Sequence, residues 1–372
     1  MPRAGLTRAR GPRRAASSVL YSPRLPHSPS NRHLAERDSD AAAQPILKWA
    51  GGKRQLLPEL RRFYPREFGA YAEPFLGSGA VFFDLHGRGV LDGHRVTLSD
   101  TNPDVIGCYL VVRQQPAAVA RQLATWAREY AARGAASYYE ARDTVFNPAR
   151  QLIGANTPAD AVARAYTPEL AATLIFLNRT GFNGLFRMNR RGAFNVPAGR
   201  YERPAFCDPA ALERAAAALA RPGLSLIAGS FEQVLGEAEA GDFLYLDPPY
   251  APLSATARFT AYTAGGFTED DQQRLQRAVV DAARRGCQIV LSNSTAPLVH
   301  DLYAHDAAAR AAGLRTHVVE ARRAINCRAA SRGAVSEFVI SNVRPVSRPR
   351  PARAGRPQPF GIGRAGASGP SV

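Results

Sequence analysis

The residues with the most chemistry in this chain sit at the end of one apolar run. Phe243-Leu244-Tyr245-Leu246 reads as a strand, and Asp247-Pro248-Pro249-Tyr250 follows it directly. Two prolines stop a strand and fix the backbone, so the Asp247 carboxylate and the Pro248 carbonyl become rigid acceptors beside an aromatic ring. Two convergent acceptors suit an NH2 group with two hydrogens to donate. The face of Tyr250 suits a planar base taken out of its stack. By itself the tetrapeptide is also compatible with an ordinary proline-terminated strand end.

A second segment, Glu73-Pro74-Phe75-Leu76-Gly77-Ser78-Gly79, follows a strand and precedes a helix. Glycines at such a turn let a ligand lie against backbone N–H groups and the positive helix end. The next strand ends in Ser99-Asp100, where an acid suits the ribose hydroxyls of a nucleotide-like cofactor, or caps the following helix. The basic residues hold a further signal: 46 are Arg and only two are Lys, Lys48 and Lys53. An ammonium kept where Arg is used everywhere else suggests that a compact point charge is needed there; coincidence is the alternative.

These residues need a frame. Short apolar runs alternate with amphipathic stretches from 45 to 343, the pattern of a parallel α/β sheet. Expected strands are Ala70–Glu73, Arg95–Ser99, Leu224–Ala228, Asp242–Leu246, Gln288–Ser292, Thr316–Val319 and Glu337–Ser341. Expected helices are Arg54–Phe63, Ala80–Leu85, Pro209–Ala220 and Glu269–Arg285, the last capped by Thr268. A long Ala-rich insertion, Pro103 to about Pro222, ends in a polar, Gly- and Asn-rich segment from Asn178 to Tyr201.

With 45% hydrophobic residues the chain can build a core. No run reaches the ~18 apolar residues of a membrane span. The four cysteines lack CxxC spacing, which argues against structural zinc or a disulfide scaffold and for a reducing compartment. The net charge of +17 points to a polyanion, but it divides into +5 for residues 1–44, +6 for 344–372 and +6 for the body between. Both ends are rich in Pro, Ser, Gly and Arg and read as disordered basic tails; the first 20 residues also have a transit-peptide-like composition. Tails of this kind add phosphate attraction without sequence information.

The order of these segments resembles that of the S-adenosylmethionine-dependent DNA adenine-N6 methyltransferases of the Dam type. Leu47-Lys48-Trp49-Ala50-Gly51-Gly52-Lys53 is similar to that family's amino-terminal cofactor motif. Asn178 through Arg187, with Phe194 through Tyr201, resembles its DNA-reading hairpin. Tyr250 through Tyr262 resembles its active-site flap. The similarity spans about 45–343.

The resemblance implies a Rossmann-like methyltransferase sheet (45–102 and 223–343) with an inserted, mainly helical target-recognition domain and β-hairpin (103–222). It implies that Trp49, Lys53, Phe75, Gly77, Gly79, Asp100 and Asp247 bind S-adenosylmethionine, and that Asp247, Pro248 and Tyr250 are catalytic. Arg187 matches a guanine-reading position, as Arg is bidentate to guanine O6 and N7. Asn183, Leu185, Asn189 and Pro197 match other positions near DNA, although each Asn is equally suited to a turn. The implied partner is double-stranded DNA, the target GATC, and the enzyme a monomer without metal, cytoplasmic and nucleoid-associated through DNA.

One departure stands out: Gly229-Ser230-Phe231 ends the third strand, where many related enzymes carry an acid. Cytosine-C5 chemistry is disfavoured because no Cys follows a Pro after a strand. Cytosine-N4 transfer needs the same acceptors, a protein-glutamine methyltransferase favours Asn over Asp247, and a non-catalytic DNA-binding protein would not need intact cofactor segments.

Overall fold

The computed structural model describes residues 42–49, 51–153, 157–202, 204–206, 208–253, 267–322 and 334–347. Cys207, Cys327, most of both tails and the flap-like residues from Ser254 to Tyr262 lie outside that set. All seven expected strands form: β1 (Tyr71–Glu73), β2 (Val96–Asp100), β3 (Leu224–Ala228), β4 (Phe243–Leu246), β5 (Gln288–Ser294), β6 (Arg315–Arg322) and β7 (Ala334–Ser341). They join one sheet in the order β3-β2-β1-β4-β5-β7-β6.

The five strands from β3 to β5 are parallel. The expectation of a parallel sheet fails beyond them, because β7 runs antiparallel between β5 and β6. The stretch between Arg322 and Ala334 is shorter than the dozen or so residues a parallel crossover needs. The result is a Rossmann-like sheet with an antiparallel edge. Strand order reverses at β1, which pairs with β2 on one side and β4 on the other. The carboxyl ends of β1 and β4 therefore flank the crevice where open α/β sheets bind ligands.

The helices begin where local chemistry lets them. Thr268 and Asp271 form a reciprocal capping box that opens Glu269–Arg284. Thr167 caps Pro168–Thr180 and Asp208 caps Pro209–Leu219, each with proline in the first turn. The single helix expected over Arg54–Phe63 is instead three short pieces, Lys53–Gln55, Leu57–Leu60 and Arg61–Phe63. Pro58 has no N–H to continue the first of them.

One core lies under β1, β2 and β3 and runs without a break into the insertion, joining Leu98, Val105 and Tyr109 to Leu174, Phe176 and Leu219. The other side of the sheet buries Leu246, Leu275, Val279, Ile289 and Ile340. The expected hairpin is reduced to two isolated antiparallel bridges, Gly181–Ala198 and Met188–Phe194. The carboxyl-terminal tail starts later than composition suggests, since Val346 N–H donates to the Arg62 carbonyl at 2.8 Å. Among the described residues, no helix is long and apolar enough to cross a membrane.

Candidate active site

At the carboxyl edge of β1, β2 and β4 the loops enclose a cleft of about 930 Å³. Asp247 enters it from the end of β4. Lys53 Nζ lies 2.8 Å from Asp247 Oδ1, donates to the Gly51 carbonyl at 2.6 Å, and sits 4.6 Å from the centre of the Tyr250 ring. Lys53 is itself buried. Asp247 Oδ1 is buried too, and it has no aligned hydrogen-bond donor among the described residues despite the close ammonium. Burial lifts the Asp247 carboxyl to about 6 against the pull of Lys53.

The backbone around Asp247 is held from β5. Asn293 Oδ1 accepts from Ala251 N–H at 3.2 Å, Ser294 Oγ donates to the Ala251 carbonyl at 2.6 Å, and Asn293 Nδ2 holds Gln272. Gln272 Nε2 in turn donates to the Pro249 carbonyl at 2.9 Å. The Pro249 carbonyl is thus engaged in this network, while Pro248 lines the cleft beside Asp247.

The glycine loop lines the opposite wall. Gly77 has φ +46, and a Cβ there would stand 2.7 Å from Trp49 Cδ1. Only glycine permits both the conformation and the contact. Asp100 Oδ2 accepts from Gly77 N–H at 2.9 Å and Oδ1 accepts from Asn102 N–H at 2.8 Å. The helix cap is therefore Asn102, whose side chain holds Asp104 N–H, and Asp100 is the brace of the loop. Burial raises Asp100 to about 6. Gly79 is also left-handed but faces Leu76 and Phe83 behind the loop, and it is not brought to the cleft wall.

Several cleft residues were missed by motif reasoning. Phe75 stacks on Phe231 at 5.4 Å, and Phe267 closes the cluster edge-on to Phe75 at 5.9 Å. Phe231 and Ser230, conspicuous in the sequence only for the absent acid, thus become part of the wall. Glu337 reaches Tyr250 from β7, which no local pattern signals. Glu73 lies between motif residues and is buried, its Oε2 accepting from Tyr71 OH at 2.8 Å and Phe82 N–H at 3.0 Å. Burial lifts Glu73 to about 8, against an ordinary value of 4.5. The folded state then holds a proton that the unfolded chain releases. That contribution to stability is complete below about 4.5 and lost as pH rises through about 8. Glu73→Gln, which keeps an acceptor, is expected to flatten the fall in denaturant stability across this window, up to about 1.4 kcal/mol per pH unit.

The insertion is fastened to the cofactor-motif segment. Asn178 accepts from Lys48 N–H at 2.7 Å and donates to the Lys48 carbonyl at 2.8 Å, while Arg179 donates to the carbonyls of Ile46 and Pro45. Lys48 Nζ reaches Tyr201 OH at 3.2 Å. Trp49 therefore touches the Gly77 loop with one part of its ring and stacks on Phe186 at 5.8 Å with another. Next to Phe186, Arg187 is exposed, its Nε held by Asn195 Oδ1 at 2.8 Å. Asn189 uses its carbonyl oxygen to close the turn, accepting from Arg191 and Ala193 N–H groups. Asn183 is left-handed and exposed, Leu185 is half-buried, and Pro197 is exposed with its carbonyl engaged by Phe182 N–H.

Residues 49–325 match the family model described as D12 class N6 adenine-specific DNA methyltransferase. The chain belongs to that family. This methyltransferase is 35% identical over 310 residues to the type II methyltransferase M.MjaIII of Methanocaldococcus jannaschii, covering 80% of this chain and 99% of that one. It is 33% identical over 299 residues to the type II methyltransferase M1.LlaDCHI of Lactococcus lactis subsp. cremoris, covering 80% and 95%. To the DNA adenine methylase of Escherichia coli K12 it is 33% identical over 297 residues, covering 79% and 93%. The enzyme is a DNA (adenine-N6)-methyltransferase that uses S-adenosylmethionine. The cleft fits that cofactor: a wide opening, a glycine loop at a strand end edged by the Trp49 ring, and a buried acceptor oxygen without an aligned donor among the described residues. The two described cysteines, Cys108 and Cys287, are buried, and burial pushes both thiols up, so neither is an available nucleophile.

Proposed function

We propose that the enzyme extrudes an adenine from duplex GATC and methylates N6 directly, without a covalent enzyme intermediate. The observation that carries this reading is the shared cleft: Asp247, Pro248 and Tyr250 open into the same space as the glycine loop. We assign Trp49, Lys53, Phe75, Gly77 and Asp100 to holding the cofactor, with Gly79 shaping the loop from behind. S-adenosylmethionine supplies an electrophilic methyl group on its sulfonium.

The chain's own task is the amine. The N6 lone pair is delocalised into the ring and is a poor nucleophile. Hydrogen bonds from its two hydrogens to the Asp247 carboxylate and the Pro248 carbonyl favour a tetrahedral nitrogen with its lone pair localised. Tyr250 stacks on the base and fixes its plane, bringing the reacting atoms to ~3–3.5 Å. As N6 gains the methyl it loses a proton, and Asp247, whose proton affinity burial has raised, accepts it. A keto oxygen in place of the amine would face two acceptors and be rejected.

Recognition falls to the inserted segment. The resemblance of 178–201 to the Dam-type hairpin supports GATC, and the relatives named DNA adenine methylase agree with adenine as the base. Asn195 orients the Arg187 guanidinium outward for a guanine edge. Arg187→Ala is expected to weaken binding to GATC duplexes ~10- to 100-fold while changing binding to unrelated duplexes far less. A chain of this design acts as a monomer on DNA in the nucleoid. Type II methyltransferases among the relatives favour a second reading, pairing with a restriction endonuclease of another target. Digesting DNA from cells expressing the enzyme decides: protection from a nuclease blocked by adenine methylation in GATC is expected, and full cleavage would overturn the target.

A further inference from the structure

Tyr250 is poorly constrained by its own sequence. Pro248 and Pro249 fix the backbone before it, but both side-chain torsions of the ring are free to rotate. Two contacts remove that freedom. The Lys53 ammonium lies 4.6 Å over one face, and Tyr250 OH donates to Glu337 Oε2 at 2.5 Å.

Glu337 comes from β7, where it is paired with Ser294 of β5 on one side and Val319 of β6 on the other. A residue inside a three-strand antiparallel ladder has a fixed backbone position, so its carboxylate reaches Tyr250 from a rigid base. The anchor has an electrostatic cost, because Glu337 adds a second negative charge near Asp247 and helps raise its proton affinity. The Tyr250 hydroxyl stays protonated, held up chiefly by burial and further by the charges of Asp247 and Glu337, and therefore always donates.

We propose that Glu337 is a positioning residue: it anchors the Tyr250 hydroxyl and so sets the plane on which the extruded base stacks. This rests on the base-extrusion reading above. The antiparallel β7 then has a role in the site, since it brings the anchor to the side of Tyr250 away from the cofactor loop.

A double-mutant cycle in the full chain tests it, using Glu337→Ala, Tyr250→Phe, the pair together, and Glu337→Gln. Three readouts are compared: steady-state methylation, fluorescence of a duplex with 2-aminopurine at the target adenine, and the thermal midpoint. Glu337→Ala and Tyr250→Phe are each expected to lower kcat about tenfold with KM for DNA nearly constant. The pair together should be no worse than either alone, because both changes remove the same bond. Glu337→Gln, which still accepts from the phenol, should recover most of the activity lost in Glu337→Ala. The 2-aminopurine signal should differ from wild type in Glu337→Ala and return toward it in Glu337→Gln.

Additive losses, or a Glu337→Ala enzyme equal to wild type, would overturn the proposal. So would a loss of activity tracking a fall in thermal midpoint that Glu337→Gln does not restore. If wild type itself gives no 2-aminopurine enhancement on binding, base extrusion falls and takes this inference with it. Enhancement in wild type with an additive cycle overturns the role of Glu337 alone.

Discussion

Asp247→Ala is expected to lower methyl transfer by on the order of 10³-fold or more while leaving affinity for duplex DNA nearly unchanged. Losing one preorganised hydrogen-bonding group costs ~10²–10³ in kcat in comparable sites, and in the proposed mechanism the same carboxylate also receives the proton. The surface proposed to read DNA, around Arg187, lies in the inserted segment and is braced by Asn195, not by Asp247. The substitution has a second effect, since it leaves the buried Lys53 ammonium without its counter-charge. Removing one member of a buried pair costs about 3–5 kcal/mol. Thermal melts must therefore accompany the kinetics. Asp247→Asn keeps an acceptor of the same shape and should lose less stability, yet it still loses most activity, because the amide neither bears charge nor takes the proton. Methylation at near wild-type rate by a folded Asp247→Ala enzyme would remove Asp247 from catalysis.

The same carboxylate sets an acid limit. Burial places Asp247 at about 6, and below that value its carboxyl gains a proton and ceases to offer two acceptor oxygens. The rate should fall as pH drops through about 6. Stability moves the other way: a carboxyl raised above its ordinary 3.8 contributes stability that is lost as pH rises through about 6 and retained below it. Loss of activity on the acid side is therefore not unfolding driven by Asp247, and circular dichroism at the same pH values should show the fold retained.

How far the sequence reveals this arrangement depends on how local each signal is. Asp247-Pro248-Pro249-Tyr250 and the Gly77 loop are local statements about backbone, and both occupy the expected strand ends. Asp100 was ambiguous between ligand and helix cap. The structure resolves its backbone role by giving the cap to Asn102 and the Gly77 N–H to Asp100. Glu337 was legible only as part of a strand, because its proximity to Tyr250 arises from β7 reversing direction, which periodicity does not encode. Phe231 shows the converse: its position was noticed for a missing acid, while its stacking on Phe75 depends on where β3 ends relative to β1. The hairpin expected from 178–201 shrinks to two bridges because side chains of the insertion, Asn147 and Tyr138 among them, take up the strand's backbone groups at Phe194 and Val196.

Lys53 supplies the other large effect, and it explains why lysine survives there in a chain that otherwise uses arginine. Its ammonium meets three different partners: a carboxylate at 2.8 Å, a carbonyl at 2.6 Å and an aromatic face at 4.6 Å. A compact charge with three rotatable donors suits partners in three directions, whereas a planar guanidinium with its donors in one fork does not. Lys53→Met removes the charge that pulls Asp247 down, so the carboxyl should titrate well above 6 and be largely protonated at neutral pH. The expected loss at pH 7 is on the order of 10²-fold, with part of the rate regained as pH rises and the acid limb displaced upward. Lys53→Arg should not restore wild-type rate despite conserving charge. The pH profile distinguishes this from simple loss of cofactor affinity: a variant defective only in binding would regain full rate at saturating S-adenosylmethionine with its acid limb unmoved. That outcome would show that Lys53 serves the cofactor alone and leaves Asp247 to set its own proton affinity.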